Sequence, residues 1–398
     1  MIIQNKSLTY CSNIFKEQDI TKLLKILTDY VFFIRKHFKC KYIGLGLCVS
    51  NTLINNVLNI HNLSYLRTWL IKYNLYISSI NGFVYKSFHT KKIKEHIHYP
   101  DWTSSKRVDY TKKIIYFLSA ALTKMTDVSI STSPLSFKTW IRRKNAKYIF
   151  FKSSVNILYV LQLLINMYKN KKHYIHLDIE PEPYCLLESV NDFLYFFIKW
   201  LIPNSKLYLH LLDKKNKASY LRKYINLCYD ICHFSVNYYN HIDIIKSIVL
   251  NKIKVGKIQV SSALEATITN DNYKIIMKEL LFLNKSKFLH QNTLVTENKI
   301  FINKHIDLNY EVLKGFCNDT KLRIHCHMPL HLTKYRSYLD TTTNESKDVF
   351  LTLLKCIKIK HIEIETYTYD ILLKNKKFES MLQEYLIVID IIKTSKHD

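Results

Sequence analysis

Short apolar runs alternate along the chain with longer stretches whose apolar residues recur at helical spacing, and small or polar residues separate the two. The runs expected as strands are Leu8–Ser12, Tyr42–Leu47, Leu75–Ile80, Val128–Thr132, Tyr174–Glu180, Ile225–Asp230, Lys257–Ser261, Leu322–His327 and His361–Thr366. Helices are expected at Ile20–His37, Leu63–Tyr73, Asp109–Lys124, Val155–Tyr168, Leu186–Leu201 and Asp348–Cys356. Most strands stand about 30 to 50 residues apart, the length of a strand with its return helix and loops, which predicts parallel βα units. An α/β (βα)8 TIM barrel with long βα loops accommodates them in a chain longer than the roughly 250 residues typical of that fold. Nine runs compete for eight barrel places, and the period leaves open whether Leu8–Ser12, Leu322–His327 or another lies outside. No Gly/Ser linker or Pro-rich stretch divides the sequence, so the expected organisation is one domain, residues 1–398, with an insertion near 264–320.

A TIM barrel presents its chemistry at the C-terminal strand ends, where inward residues alternate with residues covered by helices. In His176-Leu177-Asp178-Ile179-Glu180-Pro181-Glu182 the acidic residues share one parity, opposite the apolar ones. The same holds for Glu363 and Glu365 in His361-Ile362-Glu363-Ile364-Glu365, and for the imidazoles of Arg323-Ile324-His325-Cys326-His327. These charged sets are therefore expected to face the barrel mouth. Asp230, His233 and Gln259 end two further strands. Carboxylates, an amide oxygen and imidazoles together suit one divalent cation, Mn2+ or Mg2+ first, with Zn2+, Co2+ and Fe2+ also compatible. Asn81 and His89 flank a glycine-containing loop after an early strand and are candidates to line a substrate pocket. Trp102 is read as either a ligand-stacking or a rim residue, and His290 as either part of a lid or a solvated surface residue.

Charge changes this picture little. The 59 Lys plus Arg against 32 Asp plus Glu give a net +27, which invites a nucleic-acid or membrane partner. Only eight of the 59 are arginine, however, and the lysines are scattered rather than clustered, unlike a phosphate-reading face. Codon bias towards A and T explains the Lys, Asn, Ile and Tyr excess together with just five glycines. Nucleic acid is not expected as a partner. The apolar stretch Phe193–Ile202 is interrupted by Lys199 and is too short to span a bilayer. The start of the chain lacks the basic and apolar regions of a secretion signal, and nine cysteines without a Cys-x-x-Cys pair point to a reducing, cytoplasmic setting.

Several segments in order resemble the EboE family of metabolite traffic proteins within the xylose isomerase-like TIM-barrel superfamily. They include Leu8-Thr9-Tyr10-Cys11-Ser12-Asn13, Glu180-Pro181-Glu182-Pro183, Tyr229-Asp230-Ile231-Cys232-His233, Gln259-Val260-Ser261, Leu289-His290-Gln291, His325-Cys326-His327-Met328-Pro329 and Glu363-Ile364-Glu365-Thr366. The resemblance implies a metal shell of Glu180, Asp230, Gln259 and Glu365, leaving open whether Gln259 or His327 completes it with Glu365, and it implies Glu180 and Glu365 as the catalytic acid/base pair. It implies substrate-positioning roles for His233 and His327, and His325, Glu182, Asn81 and His89 are further substrate-binding candidates. The implied reaction is a sugar isomerase or epimerase proton transfer beside a carbonyl, on a small-molecule metabolite, with proteins of an export pathway as partners. Two alternatives stay open: a metabolite-binding protein without turnover, and an endonuclease IV-like metal nuclease.

Overall fold

The computed structural model describes residues 1–15, 17–86, 94–122, 126–208, 217–284, 288–296, 302–308, 320–368 and 377–395. Its strands are β1 (Ile2–Ile3), β2 (Lys6–Tyr10), β3 (Ile43–Cys48), β4 (Leu75–Asn81), β5 (Asp127–Thr132), β6 (Tyr174–Ile179), β7 (Ile225–Asp230), β8 (Val255–Val260), β9 (Ser262–Ile268), β10 (Asn292–Thr296), β11 (Ile302–His305), β12 (Thr320–Met328), β13 (Lys334–Arg336), β14 (Leu339–Thr341) and β15 (His361–Ile364). One sheet runs β1-β2-β15-β8-β7-β6-β5-β4-β3, and every pairing in it is parallel except the short β1–β2 hairpin. Its two ends meet at a parallel bridge between Cys11 and Gly46, so β2 to β8 and β15 form a nearly closed eight-stranded barrel.

All nine expected runs are strands, but Leu322–His327 belongs to β12, in a second sheet ordered β11-β10-β12-β9-β14-β13. That sheet is antiparallel throughout and lies in sequence between β8 and β15, from Ser262 to Thr341. It has its own small core, built on Leu264, Ile276, Leu280, Leu322, Ile324 and Cys326.

The alternation expected at strand ends runs through the barrel. Leu177, Ile179, Ile258, Val260, Ile362 and Ile364 are fully buried and join one core with helix residues such as Ile157, Leu161 and Leu164. Each such side chain contributes roughly 1.5–3 kcal/mol by leaving water. The opposite parity fills the interior of the barrel with polar groups: Ser7, Thr9, Ser79, Ser129, Asp178, Lys257 and Glu363 are all buried. Among the described residues it is the helix Ala146–Lys171, rather than the Phe193–Ile202 stretch, that is apolar and long enough to cross a bilayer. Here it packs against β6 and the helix Ser105–Ala121.

Gly46 and Gly256 are both dictated by this polar interior, Gly46 by Glu363 Oε2. A Cβ on Gly256 of β8 would overlap the carboxylate of Asp178. That carboxylate is held by Ser129 Oγ at 2.5 Å, His176 Nδ1 at 2.6 Å and Asn226 Nδ2 at 3.2 Å. Gly256→Ala is expected to lower stability by about 1–3 kcal/mol, the cost of overpacking a fixed interior. Urea unfolding measures it, and an unchanged midpoint would mean that Asp178 can move aside.

Candidate active site

Four neighbouring barrel strands deliver the oxygen-rich set. Glu180 directly follows β6, Asp230 ends β7, Gln259 sits in β8 and Glu365 directly follows β15. The backbone N–H of Glu180 donates to Thr132 O at 3.0 Å and that of Glu365 to Val260 O at 3.2 Å, so the sheet itself aims both side chains. Asp230 caps the short helix Ile231–Val236: its Oδ1 accepts from His233 N at 3.0 Å. That local turn explains the Asp-x-x-His spacing, since position three of the helix brings His233 back beside the cap. It also leaves Asp230 Oδ2 buried with no hydrogen-bond partner among the described residues. Glu365 Oε1 accepts from Asn13 Nδ2 at 2.8 Å and Asn81 Nδ2 at 3.0 Å, while Gln259 Nε2 donates to Glu365 Oε2. Cys228 Sγ donates to Gln259 Oε1 at 2.9 Å.

These carboxylates are almost wholly out of water. Burial pushes Glu180 well above the usual carboxylate range, Asp230 adds to the rise and Lys257 pulls it back. Burial likewise raises Glu365, with Glu180 as the next cause and Lys257 opposing. Glu182 is pushed up to about 8 by burial, against a hydrogen bond from Gln291. Several carboxyl groups therefore compete for too little positive charge, a situation a cation or shared protons relieve.

Three imidazoles stand beside this set. His233 Nε2 lies 3.0 Å from His325 Nε2, and His325 Nε2 lies 3.1 Å from His327 Nε2. His325 and His327 come from β12, so the inserted sheet contributes directly to the mouth of the barrel. Burial lowers His233 to about 4, with Asp230 opposing, and drives His325 well below its usual value, helped by His233 and His327. Glu182 Oε1 lies 3.7 Å from His325 Nδ1, and Glu182 Oε2 lies 3.6 Å from His98 Nδ1. The set surrounds a cavity of about 50 Å³ that Asn13, Asn81, Glu180, Glu182 and Glu365 also line. A larger cavity of about 660 Å³ lies beside Tyr238, His241 and Arg323. Arg323 there is neutralised by Glu265 and Glu345, so the converging chemistry belongs to the smaller cavity.

The structure brings Glu180, Glu182, Asp230, His233, Gln259, His325, His327, Glu365 and Asn81 to this one place. His89 lies outside the described residues. Not every acidic residue of the expected parity reaches the mouth. Glu363 stays inside the barrel, where its Oε1 accepts from Lys257 Nζ at 2.6 Å, and Asp178 stays beneath Glu180 against Gly256. The reason is geometric: successive inward residues of a tilted strand stack in layers along the barrel axis, and only the last reaches the opening. His290 is fully buried and its Nδ1 donates to His325 O at 3.1 Å, so it is not a solvated surface residue. Trp102 is also fully buried, its Nε1 donating to Thr132 Oγ1 at 3.2 Å. Two further residues of the site go unmarked by the sequence pattern. Lys257 carries only its shared parity with Gln259 as a signal, and Asn13 is signalled only as the last residue of the segment 8–13 that carries the family resemblance.

No protein-family model and no curated protein matches the sequence. Solved structures do match over nearly the full chain. A provisionally assigned sugar phosphate isomerase/epimerase from Anabaena variabilis aligns with a TM-score of 0.52 at 10% identity, covering 98% of this chain and 99% of that one. A xylose isomerase-like TIM-barrel protein from Mycobacterium smegmatis in complex with magnesium gives 0.50 at 10% identity, covering 98% and 97%. The IOLI protein with a bound zinc atom gives 0.50 at 13% identity, covering 98% and 100%. At these identities the likeness is one of fold, and it agrees with the nearly closed parallel barrel: the chain has the xylose isomerase-like TIM-barrel fold.

Proposed function

We propose that the protein is a divalent-metal-dependent enzyme that moves a proton at the carbon beside a carbonyl in a small polyhydroxy metabolite, an isomerase or epimerase reaction. The observation that carries this reading is the convergence of Glu180, Asp230, Gln259 and Glu365 from adjacent strands, with Asp230 Oδ2 buried and unsatisfied. That donor set is rich in hard oxygen and fits Mn2+ or Mg2+. When bound, the cation polarises substrate oxygens and stabilises charge that develops on them.

The proton itself is handled by the chain. Glu180 and Glu365, both held above the usual carboxylate range by burial, are placed to hold a proton and pass it on. Asn13 and Asn81 fix Glu365 through Oε1, so the carboxyl keeps one orientation while it changes protonation. Entry of a metabolite from the pathway suggested by the EboE resemblance accords with the sugar-related name of a fold neighbour.

Hydrogen exchange at carbon tests the proposal across a whole class of sugars at once. Mn2+-loaded protein, incubated in D2O with a panel of ketoses and aldoses, is expected to introduce deuterium beside the carbonyl of at least one sugar. Glu180→Gln and Glu365→Gln should each slow that exchange by at least about 100-fold. Exchange with none of the sugars, or unchanged exchange in both variants, would remove the basis for the reading. Cleavage of abasic DNA by the same preparation would instead favour the nuclease alternative.

A further inference from the structure

The three imidazoles are oriented in a way that substrate binding alone does not explain. His233 Nδ1 lies 3.0 Å from Pro181 O, and His327 Nδ1 lies 2.8 Å from Glu365 O. His325 Nδ1 lies 2.7 Å from Gln291 Oε1. The amide of Gln291 is itself oriented, because its Nε2 donates to Pro183 O at 3.2 Å and Glu182 Oε1 at 3.3 Å. A carbonyl oxygen only accepts, so in each ring Nδ1 carries a hydrogen, and wherever the ring is neutral Nε2 presents a bare lone pair. All three lone pairs face one another, with neighbouring nitrogens 3.0 and 3.1 Å apart. Neutral rings in this arrangement repel and supply no donor to join them.

A metal ion removes the conflict. Ligand nitrogens about 2.0–2.1 Å from a tetrahedral Zn2+ stand roughly 3.3 Å from one another, close to the separations found here. Each ring is also braced by an oxygen on its far nitrogen, the arrangement that orients a metal-bound histidine and raises its basicity. We propose that His233, His325 and His327 form a second divalent-metal site bordering the oxygen-rich shell of Glu180, Asp230, Gln259 and Glu365, with Asp230 Oδ2 between the two, 4.0 Å from His233 Nε2. Its all-nitrogen donor set takes Zn2+ or Co2+ in preference to Mg2+ or Mn2+. Its ligands come from two parts of the fold, His233 from the barrel and the other two from the inserted sheet, so the ion clasps the insertion onto the barrel mouth. The site does not depend on the proton-transfer reading above.

Cobalt titration of the metal-stripped full chain tests this. The wild type is expected to bind two equivalents, one of them with the intense visible absorption of nitrogen-bound, four- or five-coordinate Co2+. His325→Ala and His327→Gln should each lose that absorption and one equivalent while keeping the other. Glu365→Gln should do the reverse, and a wild type that binds only the absorbing equivalent would count against the carboxylate shell and not against the histidine site. Histidine variants that keep the wild-type spectrum overturn the proposal. If those variants do not fold, X-ray absorption of the wild type carrying one equivalent of Zn2+ decides: three imidazoles around the ion support the site, and fewer overturn it.

Discussion

Lys257→Met is expected to lower the free energy of unfolding by about 3–5 kcal/mol, the usual cost of removing one partner from a buried ion pair. Lys257 and Glu363 are both fully buried inside the barrel, with Lys257 Nζ 2.6 Å from Glu363 Oε1 and 3.0 Å from Ser131 Oγ. Without the ammonium, Glu363 loses its cationic partner inside the barrel and keeps neutral donors such as Ser79. The damage extends upward, because Lys257 also holds down the pKa values of Glu180 and Glu365. Removing it raises both further. Urea unfolding at pH 7 measures the loss, and the double variant Lys257→Met/Glu363→Gln should recover most of it. A single variant as stable as the wild type would show that the interior has access to water or to another cation.

The metal-stripped protein is expected to lose stability as pH rises from about 6.5 to 8, and divalent metal should abolish that loss. The sign follows from the raised carboxyls. A group whose pKa is higher in the folded state stabilises fully below its unfolded value and loses that contribution as pH rises through the folded value. For Glu182 the window runs from an ordinary value of 4.5 to about 8, worth on the order of 5 kcal/mol across the range at 1.36 kcal/mol per unit. Glu180 and Glu365 add losses of the same sign. His233 acts oppositely at lower pH. Lowered from 6.5 to about 4, it contributes stability above 6.5 that disappears as pH falls towards 4. His98, lowered to about 3, acts with His233, and the buried N-terminal amine of Met1, lowered from 8.0 to about 5, opposes Glu182 up to pH 8, so the net loss above 6.5 is carried by the further contributions of Glu180 and Glu365. Urea midpoints at intervals from pH 5 to 9, with chelator and with Mn2+, measure this. A metal-free stability that rises between pH 6.5 and 8 would mean that these carboxyls are not crowded as described.

Much of the fold and of the site is legible in the sequence because it depends on local pattern. The parity of Leu177 and Ile179 against Asp178 and Glu180 describes both faces of β6 correctly. What is not legible depends on partners. The alternation in β12 is the same whether its neighbours are parallel barrel strands or the antiparallel β9 and β10, so nothing in the pattern excludes it from the barrel. Depth along the barrel axis is likewise invisible in sequence, so parity alone groups Glu363 with Glu365. Lys257 is hidden for another reason: one functional lysine is hard to distinguish among the many that codon bias supplies. The nitrogen-to-nitrogen meeting of His233 with His325 joins residues 92 positions apart, and only the folded chain reveals it.

The bridge between Cys11 and Gly46 makes the barrel behave like a split ring. Full ladders bind every other pair of neighbouring strands, so elastic strain in the wall concentrates at this thin join, which should exchange its amide hydrogens first. Cys48 N bonds to Ser12 Oγ at 2.8 Å across the gap, and Asn13, the next residue, grips Glu365. Parting the ring therefore draws an amide away from the carboxyl at its centre, so the wall's own breathing sets how firmly that carboxyl is held.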